Sequence, residues 1–166
     1  MPNRRTLVLD KETIDWKLQR MAYQIWENFS TDKAVILIGI EGSGLVVAKS
    51  LARRLKDISP LKVEVISVKL NKRKPLTAEV KIAEDLTGKA VVLVDDVASS
   101  GKTLLYALRP ILNYEPSKVM IAVLMDRKHK SFPISPDIVG HSLSTTLKEH
   151  IEVETEGDVV KAAYLE

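Results

Sequence analysis

The sequence predicts an α/β fold, a mostly parallel, twisted sheet flanked by helices, and three observations lead there. Short apolar runs alternate with amphipathic stretches of helical period, the pattern of successive βαβ units. Runs such as "AVILIG" are continuously apolar, as a strand buried on both faces must be. With 166 residues, 45% of them hydrophobic, and no internal repeat or low-complexity segment, residues 1–166 form one domain around a single core.

Each element has its own signal. "TLVL" at 6–9 reads as a short strand, and Asp10 then caps a helix whose apolar stripe is Ile14, Leu18, Met21, Ala22, Ile25 and Phe29. Trp16 and Trp26 flank that stripe and read as core or subunit-contact residues. "AVILIG" at 34–39 is followed by the turn "IEGSG" and the helix "LVVAKSLARRLKDI". In that helix Leu45, Ala48, Leu51, Ala52 and Leu55 face one side, and Lys49, Arg53, Arg54 and Lys56 mostly the other. "KVEVISVKL" at 62–70 alternates like a half-exposed strand and leads into the cationic, proline-broken loop "NKRKPLT". "DLTGKA" is a tight turn into the strand "VVLVD". "KVMIAVLMD" at 118–126 is a further core strand before the polar segment "RKHKSFPISP". The tail "IEVETEGDVVKAAYL" closes as a hairpin around Glu156 and Gly157.

Composition narrows the function. The chain has no cysteine, so it holds neither a disulfide framework nor a thiolate metal site, which suits a reducing compartment. "MPNRRTLVLDKETI" has no apolar signal region, and no later run approaches the roughly 18 residues of a membrane span. A soluble, cytoplasmic protein without a membrane partner is the expectation. The net charge of +3 permits a phosphate-rich partner without establishing one. His141 and His150 are isolated and lack ligand spacing.

The chemistry concentrates in "VVLVDDVASSGKTLLYAL", residues 91–108, which ends its turn in Gly-Lys-Thr like a nucleotide-cradling P-loop. A P-loop needs glycine five places before that Gly-Lys so that bare backbone can wrap the phosphates. Here the position is Asp96, a carboxylate that repels a triphosphate, and the P-loop assignment fails. A plain strand, turn and helix capped by Ser99 or Ser100 leaves the paired acids unexplained. Carboxylates at the end of a buried strand are costly unless something occupies them. A ligand carrying vicinal hydroxyls and a monophosphate explains both features. Asp95 and Asp96 accept from ribose hydroxyls. Residues 98–103 (Ala98, Ser99, Ser100, Gly101, Lys102, Thr103) offer N–H groups, hydroxyls and the positive end of a helix to a 5-phosphate. Such a site lies at the carboxyl edge of the sheet.

"VVLVDDVASSGKT" resembles the phosphoribosyl pyrophosphate (PRPP) signature of type I phosphoribosyltransferases. Within that family the chain is similar to the pyrimidine operon attenuation regulator and uracil phosphoribosyltransferase subgroup, nearly end to end. The likeness is carried by "LVLDKETI", "VILIGIEGSGLVVAKSLARRL" and "AVLMDRKHKSFPISPDIVG", the last with Asp126, Arg127, His129, Pro133 and Ile134 at the subgroup's motif positions.

The resemblance implies the type I fold with a small hood, contributed mainly by about 126–150 and the N-terminal segment. It implies that Asp95 and Asp96 are the catalytic, ribose-binding pair, with Val97 to Thr103 completing the PRPP site. Mg²⁺ would bridge hydroxyls and pyrophosphate, reaching the two acids through PRPP or water. It assigns Glu41, Gly42, Ser43 and Gly44 to a pyrophosphate loop, Lys72, Arg73 and Lys74 to a flexible loop, and Asp126, Arg127, Leu143 and Ser144 to the base and hood. The implied reaction joins uracil or a related base to PRPP, releasing a nucleoside monophosphate and pyrophosphate. A homodimer or higher homo-oligomer is implied as well.

Three departures from the subgroup pattern stand out. The pyrophosphate loop has Glu41 where cations are common, the loop between "VISVKL" and "EVKIAEDL" is short, and Lys128 replaces a glycine. Together they predict slow catalysis more than weak binding. Three classes stay open: an enzyme; a nucleotide-sensing regulator that binds messenger RNA through Arg53, Arg54, Lys56 and His129; and a nucleotide-binding protein with neither activity.

Overall fold

The computed structural model describes residues 4–70, 82–146 and 148–166. Eleven elements follow in order among these residues: β1 (Thr6–Leu9), α1 (Lys11–Asn28), β2 (Ala34–Ile40), α2 (Ser43–Ile58), β3 (Lys62–Val68), β4 (Ala90–Ala98), α3 (Lys102–Leu112), β5 (Lys118–Arg127), β6 (Ile138–Leu143), β7 (Ile151–Glu156) and β8 (Val159–Leu165). Five strands form one sheet in the order β3-β2-β4-β5-β6, and every neighbouring pair is parallel. The other three form a small antiparallel sheet, β1-β8-β7, joining the N-terminal strand to the C-terminal hairpin.

Burial explains why these segments fold as they do. The α1 stripe predicted from spacing, Ile14, Leu18, Met21, Ala22, Ile25 and Phe29, is wholly buried. Asp10 caps this helix, its Oδ1 accepting the Thr13 N–H at 2.8 Å. Helices α1 and α2 cover one face of the large sheet through a cluster that includes Leu18, Leu51, Leu55, Val92 and Leu124. Helix α3 covers the other through Leu104, Ala107 and Ile111, packed with Ile38, Leu93 and Val123. The central strands β2 and β4 are thus buried on both sides, the reason for their unbroken apolar runs. No described helix is long and apolar enough to cross a membrane.

Four sequence expectations change. Helix α2 starts at Ser43, not Leu45, so half of "EGSG" lies in its first turn. Neither Ser99 nor Ser100 is the cap of α3; Gly101 occupies that position in the left-handed region at φ 86°, which glycine adopts without steric cost. Residues 138–143, assigned with 126–150 to a hood, form β6 at the edge of the large sheet, while β7 and β8 build the small one. Trp16, read as a core or subunit-contact residue, is 72% exposed and so lies outside the core of the chain, whereas Trp26 packs on it.

Candidate active site

The strand order reverses direction between β2 and β4. From β2 the chain steps outward to β3; from β4 it steps the other way to β5 and β6. The loops leaving the carboxyl ends of β2 and β4 therefore diverge and leave a crevice, the place where open α/β sheets bind ligands. A cavity of about 440 Å³ sits there, within the range of small-ligand sites. Asp95 to Gly101, Thr103 and Leu104 line it from β4 and the turn into α3, Ser43 from α2, and His150 to Val153 from β7 and the residue before it.

The two acids are not equivalent. Asp95 is 1% exposed, and its Oδ1 accepts the Asp96 N–H at 2.8 Å. It is wedged beneath the start of α2, where only the missing side chain of Gly44 leaves it room: a Cβ on Gly44 would lie 2.7 Å from its Oδ1. Asp96 is half-buried on the cavity wall, and its Oδ1 accepts the Val97 N–H at 2.8 Å. Both acids line the crevice, Asp95 from within the packed framework and Asp96 from a more exposed position.

The turn after β4 presents donors. The first helical bond of α3 runs from the Leu105 N–H to the Gly101 carbonyl, so the N–H groups of Thr103 and Leu104 precede the helical ladder. The Lys102 N–H is taken by Ser100 Oγ at 3.2 Å. Donors at a helix start, together with the helix dipole, make an anion cradle.

Of the residues assigned from sequence to a pyrophosphate loop, Ser43 lines the cavity and Gly44 packs against Asp95, whereas Glu41 and Gly42 are exposed outside the lining. The Glu41 N–H is held by the Val68 carbonyl at 2.8 Å. Lys102 is half-buried and outside the lining too. Asp126 lies beside Ala98 in the β4–β5 register and pairs with Lys130 at 2.6 Å. Arg127 is turned to the backbone, its Nη2 donating to the Thr146 carbonyl at 3.1 Å. Leu143 ends β6 and Ser144 is exposed just after it. Arg53 donates to the Asp158 carbonyl at 3.1 Å, and Arg54 to Gln19 and Asp15 at 3.0 and 3.2 Å. Lys56 and His129 are exposed. Lys72, Arg73 and Lys74 lie outside the described residues.

The lining contributed by His150 to Val153 was not anticipated. His150 is the one imidazole among the described cavity-lining residues, brought there by pairing of β7 with β8 and of β8 with β1. No local motif marks it, because its position depends on long-range strand pairing.

The phosphoribosyl transferase domain family matches residues 7–156. The chain belongs to the phosphoribosyltransferase family. Among curated relatives of this phosphoribosyltransferase, the "Bifunctional protein PyrR" of Gloeothece citriformis is 37% identical over 164 residues, covering 92% of each chain. The "Bifunctional protein PyrR" of Streptococcus pneumoniae is 35% identical over 155 residues, covering 89% of this chain and 88% of that protein. Among solved structures, the hypoxanthine phosphoribosyltransferase of Trypanosoma cruzi superposes with a TM-score of 0.78 at 16% identity, over 95% of both chains. A Bacillus anthracis hypoxanthine-guanine phosphoribosyltransferase does so with 0.72 at 20% identity, over 83% of this chain and 82% of that one. At such identities the likeness establishes the type I phosphoribosyltransferase fold alone.

Proposed function

We propose that the protein transfers the phosphoribosyl group of PRPP to a nucleobase of the uracil type, giving a nucleoside monophosphate and pyrophosphate. The observation that carries this is the placement, in the lining of one crevice, of a carboxylate pair immediately followed by an anion cradle. Asp96, with Asp95 beside it, accepts from the ribose hydroxyls. The N–H groups and hydroxyls of residues 98–103 hold the 5-phosphate. Ser43 and the start of α2 face the pyrophosphate.

In the reaction the C1–O bond to pyrophosphate breaks as a C1–N bond to the base forms. Pyrophosphate leaves with the electron pair, and the ring-nitrogen proton passes to it or to water. Positive charge gathers on the ribose ring in the transition state, where the nearby acids stabilise it electrostatically. Catalysis otherwise consists of holding the two reactants in line. Asp126 and Arg127, at the end of β5, and Leu143 and Ser144, at the end of β6, are proposed to border the base.

No group of three or more metal-ligating side chains that could hold an ion occurs among the described residues. The donor set fits Mg²⁺ held through substrate and water oxygens beside Asp95 and Asp96. When bound, Mg²⁺ neutralises part of the pyrophosphate charge. The decisive experiment incubates purified protein with labelled PRPP, Mg²⁺ and each common nucleobase. Labelled uridine monophosphate from uracil supports the assignment, and no labelled nucleotide from any base removes it.

A second reading, a nucleotide-sensing regulator that binds messenger RNA of pyrimidine genes, is favoured by relatives named as bifunctional. Arg53, Arg54, Lys56, His129 and the segment with Lys72 to Lys74 are its proposed contacts. We also place the protein in the cytoplasm as a homodimer or higher homo-oligomer. Exposed Trp16 and Leu112, at 72% and 65%, are apolar surface that an oligomer could cover.

A further inference from the structure

The loop after β5 closes on the turn after β4 through contacts that the reaction itself does not require. Lys130 is 11% exposed in its side chain and its Nζ lies 2.6 Å from Asp126 Oδ1, on a carboxylate 15% exposed. The same Nζ donates to the Arg127 carbonyl at 2.9 Å. This folds the chain back so that the next two N–H groups, of Ser131 and Phe132, both donate to the Ser100 carbonyl at 3.1 Å. The underside of Gly101 is closed by the same loop: a Cβ there would meet Ile134 Cβ at 3.3 Å, the Phe132 carbonyl at 3.4 Å and Lys130 Cδ at 3.5 Å.

Peptide geometry gives these contacts a consequence. In a trans peptide the carbonyl of one residue and the N–H of the next point in opposite directions, and the chain contains no cis bond among the described residues. Two donors drawing the Ser100 carbonyl toward the loop turn the Gly101 N–H to the opposite side. Ser100 and Gly101 both line the cavity. A nearly buried ion pair rarely stabilises a fold more than apolar side chains of the same volume would. Its contribution here is therefore to geometry.

We propose that Lys130 is a positioning residue for phosphate binding: paired with Asp126, it anchors the 130–132 segment, which fixes the Ser100–Gly101 peptide with its N–H toward the ligand. The proposal rests on the reading that residues 98–103 hold a 5-phosphate. Lys130 itself touches no substrate in this account.

Titration calorimetry with ribose 5-phosphate, uridine monophosphate and uridine tests it in wild type, Lys130→Met and Lys130→Arg. Lys130→Met should lose about tenfold in affinity for both phosphorylated ligands, the worth of one hydrogen bond to a charged group. It should keep wild-type affinity for uridine, and Lys130→Arg should recover most of the loss. A merely structural role would weaken all three ligands together, and that result overturns the proposal, as does unchanged phosphate affinity in Lys130→Met. Should Lys130→Met fail to fold, the wild-type protein still decides. The Gly101 amide resonance should shift strongly on adding ribose 5-phosphate, with slower hydrogen exchange at Ser131 and Phe132; an unresponsive Gly101 amide overturns the proposal. A wild type that binds no phosphorylated ligand removes the reading of the loop and this inference with it. Binding in wild type that is indifferent to Lys130 removes the inference alone.

Discussion

Gly44, at the start of α2, lies so close to Asp95 at the end of β4 that a Cβ on it would stand 2.7 Å from the carboxylate and 3.2 Å from Asp95 Cα. The carboxylate would have to turn away and the backbone beside it give by a few tenths of an ångström. Gly44→Ala should destabilise the fold by about 1–3 kcal/mol, the usual cost of overpacking. It should also displace Asp95 and raise the KM for PRPP. Chemical denaturation and steady-state kinetics on the same preparation check both.

The unequal burial of the acids separates their mutational effects. Asp96→Asn should weaken uridine monophosphate binding by about 1.5–3 kcal/mol, one charge-assisted contact, while leaving the melting temperature near wild type. Asp95→Asn should lower both, because Asp95 is 1% exposed and accepts the Asp96 N–H. Calorimetry and thermal melts decide between this split and identical behaviour of the pair.

Glu41 is exposed on the turn after β2, outside the cavity lining. In the proposed function pyrophosphate lies near this turn, and an exposed carboxylate there repels it through solvent. Glu41→Lys should lower the KM for PRPP and speed turnover of a slow wild-type enzyme. Unchanged kinetics in that variant would show that the loop acts only through its backbone.

RNA binding, if present, should fall steeply with salt, the logarithm of the affinity dropping by roughly 0.7 per phosphate contact for each unit of log salt. Arg53→Ala combined with Arg54→Ala should reduce both affinity and slope without altering PRPP binding. Filter binding to pyrimidine-gene leader RNA across a salt series, with and without a uridine nucleotide, measures this. Retention that ignores the arginines and the nucleotide leaves only the transferase.

His141, half-buried on β6, has its pKa held below the ordinary 6.5, first by desolvation and then by the positive charge of Lys17. The folded protein thus binds this proton less readily than the unfolded chain. The associated stability is present above about pH 6.5 and is lost as pH falls through the lower folded value. Urea midpoints should decline from pH 7 toward pH 5, and His141→Gln should flatten that decline.

What was legible in the sequence was periodic or contiguous. The α1 stripe ending at Phe29 could be read because helical spacing alone puts those residues on one face. The cavity lining at Asp95 to Gly101 and Thr103 could be read because strand, acids and a turn rich in hydroxyls follow one another without a gap. The different fates of Asp95 and Asp96 were hidden, since they depend on Gly44 approaching from another element. Strand β6 was hidden by Gly140, His141 and Ser142, which break its apolar run, and its place is set by pairing with β5. The engagement of Arg53 with the Asp158 carbonyl was equally invisible, because it joins α2 to the turn of a distant hairpin.

The crevice is lined in part by β7, which is held by β8, which in turn pairs with β1. The backbones of His150 and Glu166 exchange hydrogen bonds at 2.9 and 2.8 Å. The large parallel sheet, with both acids and the turn after them, thus supplies only part of the cavity lining, and the small antiparallel sheet supplies another part. A change in β1 or β8 therefore reaches the cavity through backbone pairing, without touching any residue that lines it.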